Sequence, residues 1–403
     1  MLNKYEESIS WLFEQFPSYQ FKGASAYKPG LENTLFLVEK FGNPHKKLNF
    51  IHVAGTNGKG STCSYLSSLL IEKKERVGLF TSPHIYDFRE RIRVNGKEID
   101  QEFVIDFCEK VKLIKLEFSP SFFELTLVMA LCYFEQEKCS IVVLETGLGG
   151  RLDATNIVLP KLSIITNIGI DHTQFLGNTV EAIASEKAGI IKNNRPILIG
   201  EKQNETSRVF QEKALNESAK LYFAQDFQLK LFLKIEGYQR KNLQTALVAL
   251  SLLSYSIRQN ELDLAIAKLK TNSGLFGRMQ QISESPKIIL DVSHNKEGIE
   301  ATLNSLKLST YVNVHIVFGT SQDKNIHAIL KLFPEYVKIH LCTFKNERSQ
   351  TIETLQEVKN HNNSIISIQQ DVNEAITKIK KELKADDLLL VIGSFFLISD
   401  VKR

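Results

Sequence analysis

The residues best equipped for chemistry are Gly55, Thr56, Asn57, Gly58, Lys59, Gly60, Ser61 and Thr62, in the run His52-Val-Ala-Gly-Thr-Asn-Gly-Lys-Gly-Ser61. Glycines let backbone N–H groups close around an anion, a following helix turns its positive end to it, and the lysine adds a full charge. The chemistry is phosphate binding. The usual loop reads G-x-x-x-x-G-K-S/T. Here its first glycine would fall on Val53, Gly60 stands directly after Lys59, and the hydroxyl arrives one residue late at Ser61. This is a variant loop, unlike that of a GTPase or a kinase-like Walker A.

Other candidates stand where apolar runs end. Glu145 follows the run 140–144, where a charge needs a partner, and His172 ends Asn-Ile-Gly-Ile-Asp-His. With Ser61 they suit a hard divalent cation, since magnesium takes one or two protein oxygens plus phosphate oxygens and water. The histidine would point to a second metal position. Taken alone, Glu145 equally suits a cap and His172 a satisfied core histidine. Lys187, in Ala-Ser-Glu-Lys-Ala-Gly-Ile-Ile, reads by itself as an exposed lysine on a solvated helix face. Asp291 and His294 in Asp-Val-Ser-His-Asn could orient a substrate or a nucleotide phosphate. Arg278 is a cation between two domains that must close on a polyanion. Each of these three, alone, also suits a solvated loop. The charged segment Arg89, Glu90, Arg91 and Arg93 reads equally as a solvated loop or as substrate contact.

These groups need elements to hold them. Residues 48–51 read as a buried strand and 64–72 as the helix after the loop. Helical spacing over 5–16, with Trp11 in the core, and over 31–40 predicts two earlier helices. Strands are expected at 76–81, 140–144, 162–166 and 195–199, with helices at 100–117, 122–138 and 179–188. The strand at 76–81 opens into Thr-Ser-Pro-His (81–84), where α/β sheets place ligand contacts. The alternating stretch 221–235 predicts β-structure, and 239–253 a helix with Asn242 near its start. Beyond a small, polar stretch at 271–279, apolar runs at 288–292, 313–319, 337–344, 364–368 and 388–393 alternate with helical segments. The expected fold is α/β: an N-terminal domain (1–272) with a P-loop-type, doubly wound, mostly parallel sheet, and a smaller Rossmann-like domain (273–403).

Bulk properties exclude several classes. A chain of 403 residues is long for one core. Fifty basic against 46 acidic residues give a net charge of +4, too even for a nucleic-acid or membrane-surface binder. No apolar run approaches the roughly 20 residues of a membrane span. The N-terminus lacks a signal-peptide layout. Cysteines 63, 108, 132, 139 and 342 are odd in number and contain no C-x-x-C pair, so they read as reduced core residues. A cytoplasmic protein is expected.

Eight motifs in order resemble one family: Gly-Thr-Asn-Gly-Lys-Gly-Ser (55–61), Thr-Ser-Pro-His (81–84), Glu-Arg-Ile-Arg-Val-Asn-Gly (90–96), Glu-Thr-Gly-Leu-Gly-Gly-Arg-Leu-Asp-Ala-Thr-Asn (145–156), Ile-Asp-His (170–172), Glu-Lys-Ala-Gly-Ile (186–190), Gly-Arg-Met (277–279) and Asp-Val-Ser-His-Asn (291–295). The chain resembles folylpolyglutamate synthase/dihydrofolate synthase, of the Mur ligase superfamily, from about residue 20 to its end. The resemblance implies an ATP-dependent ligase. A carboxylate of dihydropteroate or a reduced folate becomes an acyl phosphate, and L-glutamate attacks it to give an amide, ADP and phosphate.

By position, the resemblance implies ATP contacts from Gly55 to Thr62 and from Asn242, Arg278 and Asp291, with Lys59 on phosphate. It implies Mg2+ at two sites, Ser61 with Glu145 and His172 with a carbamylated Lys187, since carbamylation turns a repelling cation into an oxygen ligand. It implies catalytic roles for Lys59, Lys187 and His294. Thr81, Ser82, Pro83, His84, Phe123 and Asp153 match folate-binding positions, and His294 and Ser394 glutamate-binding ones. The family's Asp-x-Ala-His-Asn-Pro becomes Asp-Val-Ser-His-Asn-Lys296 here. The implied partners are small molecules and the implied state a monomer. A peptidoglycan-precursor Mur ligase is the alternative, but only about 50 residues precede the phosphate loop, too few for that enzyme's further N-terminal domain. A nucleotide-binding module without catalysis would have little reason to keep Lys59, Ser61, Glu145, His172 and Lys187 together.

Overall fold

The computed structural model describes residues 3–16, 30–116, 118–232 and 235–402. They fall into two compact units, Met1–Ile235 with Gln239–Leu275, and Glu236–Tyr238 with Phe276–Arg403. In the first unit the strands are β1 (Phe50–Ala54), β2 (Val77–Phe80), β3 (Ile92–Val94), β4 (Lys97–Glu98), β5 (Ile141–Glu145), β6 (Leu162–Ile165), β7 (Ile197–Ile199) and β8 (Leu221–Phe223). They form one eight-stranded sheet in the order β4-β3-β2-β5-β1-β6-β7-β8. All neighbours pair in parallel except β3 with β2 and β4. β1 and β5 are buried along their whole length, as mostly apolar strands covered on both faces of a parallel sheet should be. Successive β1 residues serve opposite faces: Phe50 packs with Phe80 and Phe134, Ile51 with Leu66 and Leu69. Register then sets the site. Val53 lies opposite Glu145, Ala54 opposite Ile165, and Phe80 opposite Leu144. Gly55, Glu145, Thr166 and Thr81 therefore leave the sheet along one edge, at the strands' carboxyl ends.

In the second unit β9 (Gln280–Ser283), β10 (Lys287–Asp291), β11 (Val314–Phe318), β12 (Lys338–Cys342), β13 (Ile365–Gln369) and β14 (Leu388–Ile392) form a six-stranded sheet, order β13-β12-β11-β14-β10-β9. It is parallel except for β9 at the edge. Asp291 and Phe318 both lie opposite Ile392, so Asp291, Gly319 and Gly393 share the carboxyl edge.

The structure corrects several sequence expectations. β1 begins at Phe50, and the helix after the loop spans Lys59–Glu72, starting at the lysine instead of at 64. Within 221–235 only Leu221–Phe223 is strand, and 233–234 lie outside the described residues. The alternation there has a different cause: Phe227, Leu229, Leu231 and Ile235 pack on the core from an unpaired stretch. Alternation reports one buried face, with or without a ladder. β3, β4 and β9 were not anticipated; β3 is only three residues long, and β4 and β9 are short and mostly polar. Trp11 is half-buried, edge-on to Phe16 with Lys112 over its ring. The expected helix end at 117 and the start of the family likeness at 20–29 fall outside the described residues. The five cysteines are free, all but Cys132 buried. Among the described residues no helix is long and apolar enough to cross a membrane.

Candidate functional site

The phosphate loop depends on two glycines. Gly55 has φ +149, and a Cβ there would lie 1.8 Å from Thr166 Oγ1. Gly58 has φ +83, and its Cβ would lie 2.4 Å from Asn242 Oδ1. Both combine a left-handed backbone with a close approach that only glycine tolerates. The segment after β6 ties the loop down. Thr56 N–H donates to Asn167 O at 2.9 Å and Asn57 N–H to Asn167 Oδ1 at 2.9 Å. The Thr166 hydroxyl donates to Asn57 O at 2.6 Å. Gly58 starts the helix Lys59–Glu72 and has no side chain to cap its first-turn N–H groups. Among the described residues the buried Thr62 hydroxyl has no hydrogen-bond partner. A clamped loop, an uncapped helix start and an orphaned hydroxyl fit a nucleotide phosphate.

Two lysines converge on the loop. Lys59 Nζ donates to Gly55 O at 3.0 Å and to Thr56 O at 3.3 Å, and Lys187 Nζ donates to the same Gly55 O at 2.9 Å. Lys187 is 4% exposed, which overturns its reading as a solvated surface lysine. The helix Val180–Ala188 packs closely against the 147–151 turn: a Cβ on Gly150 would sit 2.8 Å from Lys187 O. The small residues around Lys187 permit that approach, and they are what made its helix look bland. Burial first, then the Lys59 charge, push the Lys187 ammonium down to about 7, against the pull of Asp171 and Asp153.

Glu145, 2% exposed at the end of β5, accepts from Ser82 N–H at 3.1 Å on Oε2. Ser61 Oγ accepts from Gln239 Nε2 at 3.3 Å, and Gln239 Oε1 accepts from Asn242 Nδ2 at 3.3 Å. His172 has φ +51; its N–H donates to Asp171 Oδ1 at 2.9 Å, and Nε2 lies 3.9 Å from Asp171 Oδ2. Among the described residues no cluster of three or more His, Cys, Asp or Glu could hold a metal ion. The donor set is mixed instead. Ser61 and Glu145 offer oxygens suited to a hard cation, whereas Lys187 as a free amine does not fit a cation site and as a carbamate would.

Around Thr81–His84 the charged segment is ordered, not solvated. The Glu90 carboxylate accepts from the N–H groups of Ile85, Tyr86 and Asp87, and Arg91 is 3% exposed with Nε donating to His84 Nδ1 at 2.7 Å. The Phe123 ring lies on the backbone of Gly147, where a Cβ would be 2.7 Å away. Asp153 accepts from Leu148 N–H at 2.7 Å and from Thr155 N–H at 3.0 Å, and also from the Thr155 hydroxyl. Burial raises its carboxyl above the usual value despite those bonds. His52 Nε2 meets Thr155 Oγ1 at 2.8 Å, which places a buried, neutral histidine behind Asp153.

In the second unit Asp291 is spoken for by the protein itself. Oδ2 accepts from the Tyr238 hydroxyl at 2.6 Å and Met279 N–H at 2.8 Å; Oδ1 accepts from Ser293 N–H at 2.9 Å and Thr302 Oγ1 at 3.3 Å. Phe395 gathers two other candidates: Arg278 lies 5.6 Å from its centroid and the His294 ring 5.7 Å. Ser394 is the N-cap of the short helix Phe395–Ser399, its Oγ accepting from Phe396 N–H at 3.1 Å. Lys296, in place of the family's proline, is the first residue of the helix Lys296–Leu306. The turn survives because Asn295 caps that helix, and a first-position N–H needs no intrahelical partner.

Residues 53–267 match the Mur ligase middle domain, and residues 277–395 the Mur ligase glutamate ligase domain. The dihydrofolate synthase/folylpolyglutamate synthase of Bacillus subtilis (strain 168) is 33% identical over 100% of this chain and 99% of its own length. The chain belongs to the dihydrofolate synthase/folylpolyglutamate synthase family of Mur ligases. Among solved structures, Escherichia coli FolC in complex with DHPP and ADP is similar at TM-score 0.85, with 30% identity over 98% of this chain and 96% of that one. A bifunctional enzyme of the family from Yersinia pestis, complexed with AMPPNP and Mn, is similar at TM-score 0.84, with 29% identity over 98% and 96%.

Within this family frame, sequence reasoning missed Asn167, Gln239, Phe395 and the pairing of Arg91 with His84. Gln239 carried a usable signal, standing one helical turn before Asn242. Asn167 carried none, because its role depends on β6 lying beside β1.

Proposed function

We propose that the chain activates a folate-type carboxylate with ATP as an acyl phosphate and joins it to L-glutamate, with the residue roles given below. It is an ATP-dependent ligase of the dihydrofolate synthase/folylpolyglutamate synthase type. The observation that carries the residue-level reading is the convergence of Lys59 and the buried Lys187 on Gly55 O, inside a loop built for phosphate.

A carboxylate is a poor acyl donor. Attack of its oxygen on the terminal phosphorus of ATP breaks the bond to ADP and turns that oxygen into part of a leaving group. The glutamate amine then forms the C–N bond, phosphate leaves with the C–O electrons, and the amine gives up a proton. The first-turn N–H groups of Lys59–Glu72 and the Lys59 ammonium bind and orient the phosphates. Asn242 sets the loop by filling the space that Gly58 leaves open. Ser61 and Glu145 would hold a divalent cation, which supplies charge neutralisation on the phosphates when bound. His172 and Lys187 would hold a second. Carbamylation needs a neutral amine, and a Lys187 poised near 7 has one at physiological pH; CO2 adds to Nζ and one proton is released. Thr81–His84, Phe123 and Asp153 receive the pterin-bearing substrate. His294 and Ser394 serve glutamate, and Arg278 the nucleotide, with Asp291 holding the turn that carries Arg278. Boundaries at 272/273, a monomeric state and a cytoplasmic setting belong to the same reading.

Phosphate release with ATP, glutamate and either dihydropteroate or tetrahydrofolate tests the proposal. Turnover on one or both is expected; none on either would overturn it. No observation favours the peptidoglycan-precursor alternative.

A further inference from the structure

We propose that Arg91 fixes the tautomer of His84, so that the imidazole presents an uncharged Nε2–H donor to the heteroaromatic ring of the pterin-bearing substrate. The proposal deepens the folate reading of the loop 81–84 and rests on it.

The geometry leaves one assignment. Arg91 Nε donates to His84 Nδ1 at 2.7 Å. A guanidinium has donors only, so Nδ1 must offer its lone pair and the ring proton must sit on Nε2. Among the described residues Nε2 has no hydrogen-bond partner. The half-buried ring meets Phe13 and Phe88 edge-on, at centroid distances of 6.2 and 6.4 Å.

Arg91 is well placed to impose this state. Its guanidinium carbon lies 5.3 Å from the Phe122 centroid, and Glu145 and Glu90 face it electrostatically. Glu90 is immobilised by the N–H groups of Ile85, Tyr86 and Asp87, which follow His84 directly. The backbones are joined too, since Thr81 N–H donates to Arg91 O at 3.1 Å. Ser82 N–H on Glu145 fixes the middle of the same loop. The histidine is thus held from both sides of Pro83.

Charge follows from geometry. Burial first, then the Arg91 guanidinium, hold the His84 imidazole well below its usual value, with Asp87 opposing. Protonation would leave two cations in hydrogen-bond contact. A neutral donor among phenyl rings suits a carbonyl or ring nitrogen of a flat heteroaromatic amide and has little attraction for carboxylate or phosphate. The pterin end of the substrate has that chemistry; its glutamyl end does not.

The test combines spectroscopy with kinetics. In full-length enzyme labelled with nitrogen-15 on histidine, the ring spectrum of His84 should show a neutral Nε2–H tautomer from about pH 8 to about pH 5.5. In Arg91→Met the tautomers should mix and the ring should titrate higher than in wild type, though still below its ordinary value because burial remains. His84→Leu should raise KM for dihydropteroate about tenfold, the weight of one hydrogen bond, with kcat and the KM for ATP and glutamate within about twofold. His84→Gln keeps an N–H donor and should recover most of the dihydropteroate KM lost in His84→Leu. A wild-type ring protonated on Nδ1, or charged at neutral pH, overturns the proposal whatever the kinetics. The expected tautomer together with an unchanged dihydropteroate KM in His84→Leu overturns the folate reading of this loop, and the donor role with it.

Discussion

Replacing Lys187 with methionine should abolish turnover and at the same time stabilise the ligand-free protein. The ammonium is buried among small residues and shares its acceptor with Lys59, so its value falls from 10.5 to about 7. At about 1.4 kcal/mol per pH unit, that drop costs the fold roughly 4–5 kcal/mol below pH 7. The folded value lies below the unfolded one, so protonation favours the unfolded chain. The cost is absent above 10.5, grows as pH falls, and is complete below about 7. Methionine fills similar space without a charge. It forfeits the bond to Gly55 O, worth about 1 kcal/mol, for a net gain of roughly 3 kcal/mol at pH 6. Urea unfolding of both proteins in CO2-free buffer, at about pH 6 and about pH 9.5, reads this out, and the advantage should shrink at the higher pH. Phosphate release should meanwhile fall by about 10²–10³-fold or more, as when a preorganised electrostatic group is lost. Added bicarbonate should stabilise wild type and leave the variant unchanged. Near-normal turnover would show that Lys187 takes no part in the chemistry. Equal stability of the two proteins at both pH values would refute the burial argument.

Three further outcomes are expected. Gly58→Ala puts a Cβ against Asn242 Oδ1 at a left-handed backbone, so KM for ATP should rise at least about tenfold. Gly42→Ala, with φ +80 but open space, is the control that should leave kinetics unchanged, and equal effects from both would remove the steric explanation. Asp291→Asn turns an amide N–H2 towards the donors it now satisfies and should cost about 2–4 kcal/mol in urea unfolding; an unchanged midpoint would show those bonds to be dispensable. Burial pushes His52 down to about 3 and His340 to about 4. Both folded values lie below the unfolded one, so stability is intact above about pH 6.5 and drains as pH falls towards 4. His340→Gln should flatten that decline by roughly 2 kcal/mol, and an acid limb identical to wild type would argue against the assignment.

What could be read from the chain was whatever depends on neighbours in sequence. Glycines and a lysine at fixed spacing identify a phosphate loop, because the turn and the helix start that build it are local. The unbroken apolar runs at 141–144 and 388–392 identify strands buried on both faces. Alternation at 221–235 misled, since a half-buried loop and a paired strand share one pattern. The position of Lys187 could not be read at all. A helix of small residues looks solvated until the turn at Gly150 is packed against it, and only then is the lysine forced to the Gly55 carbonyl, 132 positions away in sequence. Asp291 reads in sequence as a ligand group, and only the structure shows that its carboxylate also holds its own turn together. The sequence by itself determined the long buried strands and most of the helices between them, the phosphate chemistry and the family. The tertiary structure alone decided which charged groups are buried and what each one faces, because burial and pairing depend on strand register and helix packing between distant segments.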